Sequence, residues 1–393
     1  MRLILFTTFL IINVCTFDIT SFDINFFKEE PNLYYVNAMN NDNGDIYLEF
    51  WGEDNKIRYF IGIDYINEGQ INFNENKIYS IETNEISKYH DSIIVNNNNE
   101  INIFSMNYEY FSFINIKDSK YTSKKTKDII FENNGEPSQR NSIIKLKDNT
   151  YLLSIILHKL GIMHFINFRI FKFKSNDIGG YEESEHPKEN INRLNSTSCI
   201  QTESQYIQCI IPGITKKGNK AELQIRIFDS KFIEKNTISL SNVKDNSFTK
   251  IFHIKDEIAG YIYFDYGTNI PILYIKKLIA NTYELGDVIS NKKNIIENIG
   301  YDIDISPFSS DAIKIDDSRF VIFFTINSTY KLLLCLFDFN EEYTGIRLRK
   351  YILDFDSINI RITVNLRSFL FKDYFGLLFY DSGSEYPGYL FFN

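Results

Sequence analysis

The chain has 393 residues, of which 44% are hydrophobic and 16% aromatic, so it holds ample apolar material for a sizeable core. Its formal net charge of −9 excludes a general electrostatic attraction to nucleic acid. With 7 proline and 18 glycine residues, it is neither collagen-like nor rich in flexible linkers.

The first residues have the layout of a secretory signal peptide. Arg2 precedes an apolar stretch from Leu3 to Val14, after which small or polar residues follow. That stretch is too short for a membrane span, which needs about 20 apolar residues. We therefore predict a leader over residues 1–16 and a mature chain without a membrane span, secreted or displayed at the cell surface. A buried first strand and an ectodomain fragment of a larger membrane receptor are the alternatives.

A unit of two apolar strands around a polar turn recurs along the rest of the chain. Its copies are "YYVNAMNNDNGDIYLEFW", "SIIVNNNNEINIFSM", "SIIKLKDNTYLLSIIL", "SCIQTESQYIQCII", "IFHIKDEIAGYIYF", "AIKIDDSRFVIFF" and "SFLFKDYFGLLFY". The turn residues are 51 to 60 residues apart: Asp42, Asn97, Asp148, Glu203, Asp256, Asp316 and Asp373. Seven copies at a nearly fixed period indicate a repeat architecture.

Each unit continues beyond these two strands. A third apolar run follows in every copy, such as "FINFRIFKF", and several copies have a weaker fourth run, such as "KDIIFE", "NTISL" and "RKYILDF". The second strand of each unit is almost continuously apolar, which is typical of a strand buried on both faces. Four short antiparallel strands without a helical period are the pattern of a propeller blade.

The whole pattern resembles that of seven-bladed β-propellers, although no WD40, kelch or aspartate-box signature identifies a family. The resemblance implies an all-β domain over residues 17–393, with seven repeats of four-stranded antiparallel blades over 34–393. The last repeat lacks a fourth run. We predict that residues 17–33, which contain "FDITSFDINFF", supply the outer strand of the last blade and close the ring. The alternative is tandem β-sandwiches that divide near Gly179–Asn195.

Three cysteines remain after the predicted leader. Cys199 and Cys209 flank the turn of one unit, so they face each other on neighbouring strands at a spacing that suits a disulfide. We predict this bond in an oxidising compartment. Cys335 lies within "LLLCLF" and is interpreted as a buried apolar filler.

Two sequons occur, at Asn195 and Asn327, and each is a predicted glycosylation site. Asn195 precedes the first strand of one unit, and Asn327 follows the second strand of another. In a propeller, both kinds of loop emerge at the same end of the ring, so glycans at both positions shield part of that end.

No residue pattern indicates catalysis. We predict no catalytic, metal or cofactor site, because no nucleophile triad, phosphate-binding loop or metal-ligand spacing occurs. His158 is placed in a loop, whereas His253 is placed in a strand. The acidic stretch Tyr181–Asn190 and the basic stretch Ser123–Asp128 are interpreted as solvated loops.

The leader, the repeat and the missing catalytic pattern together favour a binding or adhesion module. Propeller loops gather at the ends of the ring and suit recognition of an extracellular protein or glycan. Ser175–Ser196 and Asn281–Ser310 are the longest predicted inter-blade loops. The alternative function is a carbohydrate-active enzyme, which requires two or three carboxylates at the channel mouth. The oligomeric state is not predicted.

Overall fold

The computed structural model describes 23 segments of the chain. They are residues 35–40, 46–51, 57–67, 70–82, 92–95, 101–106, 111–117, 120–125, 135–137, 142–159, 166–174, 177–185, 197–214, 221–243, 248–264, 270–288, 293–294, 305–326, 331–340, 345–354, 366–372, 374–381 and 386–392. The predicted leader, the predicted closing strand within 17–33, and the sequons at Asn195 and Asn327 lie outside these segments.

Within the described residues the regular structure is entirely β. The strands in chain order are β1 (Tyr35–Asn40), β2 (Ile46–Trp51), β3 (Ile57–Asn67), β4 (Gln70–Glu82), β5 (Ser92–Val95), β6 (Ile101–Met106), β7 (Phe111–Lys117), β8 (Lys120–Lys125), β9 (Gly135–Pro137), β10 (Ser142–Lys145), β11 (Tyr151–Lys159), β12 (Ile166–Lys174), β13 (Asp177–Glu185), β14 (Ser198–Gln201), β15 (Ile207–Ile214), β16 (Ala221–Phe228), β17 (Glu234–Val243), β18 (Lys250–Lys255), β19 (Ile258–Phe264), β20 (Pro271–Ile279), β21 (Glu284–Asp287), β22 (Lys293–Asn294), β23 (Ile305–Lys314), β24 (Arg319–Ile326), β25 (Lys331–Phe339), β26 (Ile346–Asp354), β27 (Arg367–Phe371), β28 (Tyr374–Asp381) and β29 (Tyr386–Phe392). No helix in these segments is long and apolar enough to span a membrane.

The described strands form seven antiparallel sheets, each built from strands that follow one another in the chain. We number them in chain order: sheet 1 (β1–β4), sheet 2 (β5–β8), sheet 3 (β10–β13, with β9 on β11), sheet 4 (β14–β17), sheet 5 (β18–β21, with β22 on β20), sheet 6 (β23–β26) and sheet 7 (β27–β29). Most sheets contain the four-stranded meander that the repeat predicts, and sheet 7 has three described strands. Backbone pairing joins strands within each sheet, not between sheets.

Burial on both faces explains the continuous apolar sequence of the second strands. Every residue of β19 is buried, and so is every residue of β24 after Arg319. A strand that packs against a neighbouring sheet on each side has no polar face, so the usual alternation of polar and apolar residues is lost.

Separate apolar cores fill the spaces between successive sheets. One core joins sheets 3 and 4, the next joins sheets 4 and 5, and two more join sheets 5 to 6 and 6 to 7. Between sheets 5 and 6, the ring centroids of Phe252 and Phe320 are 4.5 Å apart. The core that sheets 3 and 4 share crosses the boundary that the tandem-sandwich alternative places near Gly179–Asn195.

The first strands of the seven sheets lie beside one another. Contacts run from β5 to β10, then to β14, β18, β23 and β27 in order, and β1 contacts both β5 and β27. Each first strand uses one edge to pair with the second strand of its own sheet. The starts of these strands therefore gather at one end of the row, and their first turns gather at the other end.

The repeated acidic residues lie in the first turns, as predicted for Asp148, Glu203, Asp256 and Asp316. Asp148 accepts hydrogen bonds through its Oδ1 from the N–H (3.0 Å) and hydroxyl (2.5 Å) of Thr150. Such a side chain satisfies turn backbone groups that no strand can pair. The other three turn residues, Asp42, Asn97 and Asp373, lie outside the described segments.

Four segments interpreted as loops contain strands, and one of them, Asn281–Ser310, includes β21, β22 and the first residues of β23. β13 includes Gly179 and continues through Glu185, and its register with β12 sets Lys172 opposite Glu182. Opposite charges across neighbouring strands stabilise pairing, so an acidic stretch beside a basic strand need not be a loop. His158 lies in β11, and the fourth strand of sheet 2 is "KYTSKK" (β8), which includes part of the basic stretch.

Candidate functional site

The candidate site is a charged cluster on three successive first strands, where each begins its continuous pairing with the second strand of its sheet. Lys250 is the first residue of β18, Asp311 lies in β23, and Arg367 and Ser368 begin β27. We call these four residues the strand-start cluster. They belong to sheets 5, 6 and 7, so the packing of those sheets brings together residues that are 57 and 61 positions apart in the chain.

Asp311 is the centre of this cluster. Its Oδ1 accepts a hydrogen bond from Lys250 Nζ at 2.5 Å, and its Oδ2 accepts bonds from the Ser368 N–H at 2.6 Å and hydroxyl at 2.8 Å. Lys250 Nζ also donates to the Ala312 carbonyl at 2.5 Å. Buried carboxylates are tolerated when they are paired and hydrogen-bonded in this way. The cluster therefore fastens the starts of three neighbouring first strands together.

The electrostatics keep Asp311 ionised. Burial raises the pKa of its carboxyl, but the positive charges of Lys250 and Arg367 and the hydrogen bonds outweigh burial, so the pKa lies below its ordinary value. The cluster contains two cations and one carboxylate. Lys250 retains 27% side-chain exposure, whereas the Asp311 side chain retains 10%. Solvent and a ligand can therefore reach the lysine, whereas the carboxylate is committed to protein donors.

The arrangement differs from the carboxylate group that the enzyme alternative requires. The buried carboxylates of the described residues are Glu49 on sheet 1 and Asp311 on sheet 6. Asp311 accepts hydrogen bonds from three donors, one of which is the ammonium group of Lys250. This is the environment of a structural ion pair. Across these same segments, no group of three histidine, cysteine, aspartate or glutamate side chains could hold a metal ion.

The opposite end of the first-strand row is joined through its turns. The Lys147 N–H donates to Gln201 Oε1 at 2.7 Å, and Lys147 Nζ donates to the Glu203 carbonyl at 2.8 Å. The Ser204 N–H donates to Glu257 Oε1 at 3.0 Å. These bonds connect the first turns of sheets 3, 4 and 5. Sheet 5 therefore takes part in both sets of bonds, at its turn through Glu257 and at its strand start through Lys250.

Cys199 and Cys209 form a disulfide between β14 and β15. The two residues are directly opposite in the strand register, their Cα atoms are 4.1 Å apart, and both lie in the core between sheets 3 and 4. Cys335 is a free thiol buried in β25, and burial raises its pKa to about 12, which keeps it protonated and unreactive.

Replacing Cys199 and Cys209 together by alanine is expected to lower the free energy of unfolding by about 2–3 kcal/mol, because the bond closes a short loop in the unfolded chain. Urea unfolding with and without a reductant measures the effect. The reductant should lower the stability of the wild-type chain and leave that of the double variant unchanged. Equal stability of the double variant and the oxidised wild type would contradict this expectation.

The strand-start cluster was not predicted from the sequence. Asp311 lies four residues before Ile315, whose N–H closes the first turn of sheet 6, and the residues at the same place in sheets 3 and 4 are Ser142 and Ser198. Because this place is polar in other copies as well, a carboxylate there gave no distinct signal. His253, which was placed correctly in a strand, donates a hydrogen bond from Nε2 to the Asp256 carbonyl and is not part of the cluster.

Comparison with known proteins identifies no family. No family model matches the chain, and no curated protein matches it. Similar solved structures include a protein of unknown function from Dyadobacter fermentans DSM 18053 (11% identity, TM-score 0.48, 93% of this chain and 95% of that chain). Others are an α-L-arabinanase from Penicillium chrysogenum complexed with arabinobiose (8%, 0.48, 92% and 93%) and Drosophila plexin A in complex with semaphorin 1b (7%, 0.46, 91% and 84%). At these identities and TM-scores, the similarities support no functional inference.

Proposed function

We propose that this chain is an extracellular binding module whose seven sheets are the blades of one β-propeller. The order of contacts between the first strands supports a ring, since β1 contacts both β5 and β27. The cores between successive sheets support radial packing of the blades, since each core joins one sheet to the next in the chain. The wide, fixed surface of such a scaffold suits recognition.

The ring is closed by the segment from Phe17 to Phe27, which becomes the fourth strand of sheet 7. Two observations support this proposal: sheet 7 has three described strands, and β1 contacts both β27 and β28. The chain therefore enters sheet 1 beside the sheet that has three described strands. A partner strand would also protect the outer edge of β29 from pairing with other molecules.

Secretion follows from the predicted leader and is supported by the disulfide, since disulfides persist in oxidising compartments. Asn195 precedes β14 by three residues, and Asn327 directly follows β24. We therefore propose that both sequons lie at the strand-start end of the ring. Treatment of the secreted protein with a glycan-removing amidase should lower its mass by two glycans. An unchanged mass would contradict modification of these asparagines.

The strand-start cluster is the observation that carries the binding function. It places a partly exposed lysine on a rigid, cross-linked end of the first-strand row. It also commits its carboxylate to structural donors, so the exposed chemistry is that of recognition and not of acid–base catalysis.

Immobilised arrays of extracellular glycans and secreted proteins, probed with the full secreted chain, test this function. We expect saturable binding to at least one class, and we expect the array ligands to remain chemically unaltered after incubation. Cleavage of an array glycan would establish the enzyme alternative instead. Failure to bind any extracellular glycan or protein would contradict the proposed function.

A further inference from the structure

Two tyrosines meet between sheets 4 and 5, at the end of the row that carries the first turns. Tyr206 directly precedes β15, and Tyr283 lies in the turn between β20 and β21. Their ring centroids are 5.8 Å apart, and the ring planes are nearly perpendicular, at 82°. Both side chains are half-buried and pack against the core that the two sheets share. The two rings therefore form a corner at the margin of this core.

The hydroxyl groups of these two tyrosines face solvent. Neither hydroxyl makes a hydrogen bond in the described part of the chain, and neither is among the buried polar atoms that lack a partner. Tyr261, in the same core, differs in both respects, because its side chain is fully buried and its hydroxyl donates to Gln208 Oε1. A phenol hydroxyl both donates and accepts a hydrogen bond. Tyr206 and Tyr283 therefore offer two hydrogen-bonding groups to a ligand.

The backbone of Tyr283 also points to a role at the surface. Its φ of 56° is in the left-handed region, which glycine favours and which costs a bulky residue energy. Phe232 has a similar φ of 61° in the corresponding turn of sheet 4, but its ring is buried and stacks on Phe228, with centroids 5.1 Å apart. Core packing therefore explains Phe232. Tyr283 is only half-buried, which indicates that its ring serves the surface as well as the core.

Lys235 lies beside Tyr283 because of a β-bulge in β17. Its neighbours Glu234 and Asn236 pair with β16, whereas Lys235 has no partner residue in that register. Such a bulge changes the direction of the extra side chain. Lys235 Nζ lies 5.9 Å from the centroid of the Tyr283 ring and 3.0 Å from Asp229 Oδ2. Asn236 Nδ2 donates to the Tyr283 carbonyl at 2.9 Å, which joins β17 to the turn of sheet 5.

We call Tyr206, Tyr283 and Lys235 the tyrosine cluster, and it carries no surplus positive charge. Asp229 balances the charge of Lys235, and the exposed Glu284 directly follows Tyr283. Of the three N–H donors of the Lys235 ammonium group, one is directed to Asp229, and 28% of the side chain is exposed. The cluster therefore suits a ligand that has hydroxyl groups and no negative charge.

We propose that the tyrosine cluster is a second binding site and that its ligand is a neutral glycan. The proposal rests on the proposed binding function and extends it to the opposite end of the first-strand row. The C–H groups of a sugar ring form an apolar side that packs on a tyrosine ring, while sugar hydroxyls bond to phenol hydroxyls and to an ammonium group.

The described surface favours a glycan over a protein at this site. A stable protein interface buries about 800 Å² on each partner, with an apolar centre. The large hydrophobic side chains that the described residues expose are Ile233, Ile279 and Ile352. These supply little apolar surface for such an interface, whereas a sugar needs only the two rings and their polar neighbours.

Isothermal titration calorimetry of the full chain with neutral tetrasaccharides of glucose, galactose, mannose and N-acetylglucosamine tests this site. Tetragalacturonate is the acidic probe. We expect at least one neutral tetrasaccharide to bind, and to bind about tenfold or more tightly than the acidic probe. Tyr283→Gly should lower the affinity for that sugar about tenfold or more, because it removes the ring. Glycine suits the left-handed backbone at this position, so the variant keeps the turn.

Lys235→Gln should also weaken sugar binding, and it tests the site independently because Lys235 lies at the surface and its replacement leaves the core intact. Lys372→Gln is the matched control, since Lys372 Nζ also lies over an aromatic ring, 5.0 Å from the centroid of Phe371, but in sheet 7. This control should bind the sugar as tightly as the wild type does. Circular dichroism and the unfolding midpoint show whether each variant is folded.

The glycan site is wrong if no neutral tetrasaccharide binds, if tetragalacturonate binds equally well, or if a folded Tyr283→Gly or Lys235→Gln variant keeps the wild-type affinity. A sugar affinity that is lost in Lys250→Gln but kept in Tyr283→Gly would assign the sugar to the strand-start cluster. The proposed function would then survive, and so it would if the arrays show a protein ligand that Tyr283→Gly still binds. If the arrays show no ligand of either class, both proposals fail.

Discussion

Gly260→Ala is expected to lower the free energy of unfolding by about 2–3 kcal/mol, because the second strand of sheet 5 has no space for a side chain at this position. A Cβ on Gly260 would lie 2.2 Å from Cζ of Phe252, and within 2.7 Å of two further carbons of the same ring. Phe252 is the residue directly opposite Gly260 in the register of β18 and β19. The ring is buried and packs against Phe320, so it cannot move aside without opening the core between sheets 5 and 6.

Urea unfolding of Gly260→Ala measures this cost, with Gly286→Ala as the control. A Cβ on Gly286 would have its nearest contact at 3.4 Å, to a terminal carbon of the exposed Ile279 side chain. The control should therefore change stability by less than about 0.5 kcal/mol. If both variants unfold at the same urea concentration as the wild type, the close packing of Phe252 over Gly260 is wrong.

Asp311→Ala is expected to lower the free energy of unfolding by about 3 kcal/mol, because it removes one member of a buried ion pair and leaves the other partners behind. Lys250 Nζ and the N–H and hydroxyl of Ser368 all lose an acceptor. Lys250 is partly exposed and can turn toward water, which limits the loss. Ser368 is fixed in its strand, so its backbone donor has less freedom to recover a partner.

Asp317→Ala is the control for this variant. The Asp317 side chain is 67% exposed and pairs at 2.7 Å with Lys314, and exposed pairs of this kind contribute less than about 1 kcal/mol. Thermal and urea unfolding should therefore separate the two aspartate variants clearly. A loss in Asp311→Ala no larger than that in Asp317→Ala would contradict the role of Asp311 as the link between sheets 5, 6 and 7.

The contribution of Asp311 also depends on pH in a defined direction. Its pKa is below the ordinary value of 3.8 in the folded chain, so folding favours the ionised carboxyl. The resulting stabilisation is fully present above pH 3.8 and is lost as the pH falls through the lower folded-state pKa. Hence the stability difference between the wild type and Asp311→Ala should shrink below pH 3.8. A difference that grows on acidification would reverse the expected sign.

The strand repeat could be predicted from the sequence because its signal is local and occurs many times. Second strands such as β19 and β24 are buried on both faces, so they are apolar throughout, and turns such as that at Asp148 need polar side chains for their backbone groups. Both requirements concern residues that are close together in the chain, so a single sequence is enough to reveal the apolar strands and the polar turns. The disulfide could be predicted for the same reason, since Cys199 and Cys209 flank a single turn.

The strand-start cluster could not be predicted in the same way, because it depends on contacts between separate repeats. Lys250, Asp311 and Ser368 are each unremarkable within their own strand, and their hydrogen bonds arise only when sheets 5, 6 and 7 pack side by side. Polar outer strands were also hard to recognise. β13 and "KYTSKK" (β8) contain few apolar residues, and each pairs with the preceding strand of its sheet.

An experimental structure of the full chain would test the proposed circular arrangement of the seven sheets most directly. We expect β1 to lie between β5 and β27 in a closed circle of first strands, and Phe17–Phe27 to pair antiparallel with β29 as the fourth strand of sheet 7. A structure in which β1 is separated from β27, or in which sheets 1–3 and 4–7 form two independent sandwiches, would contradict this arrangement.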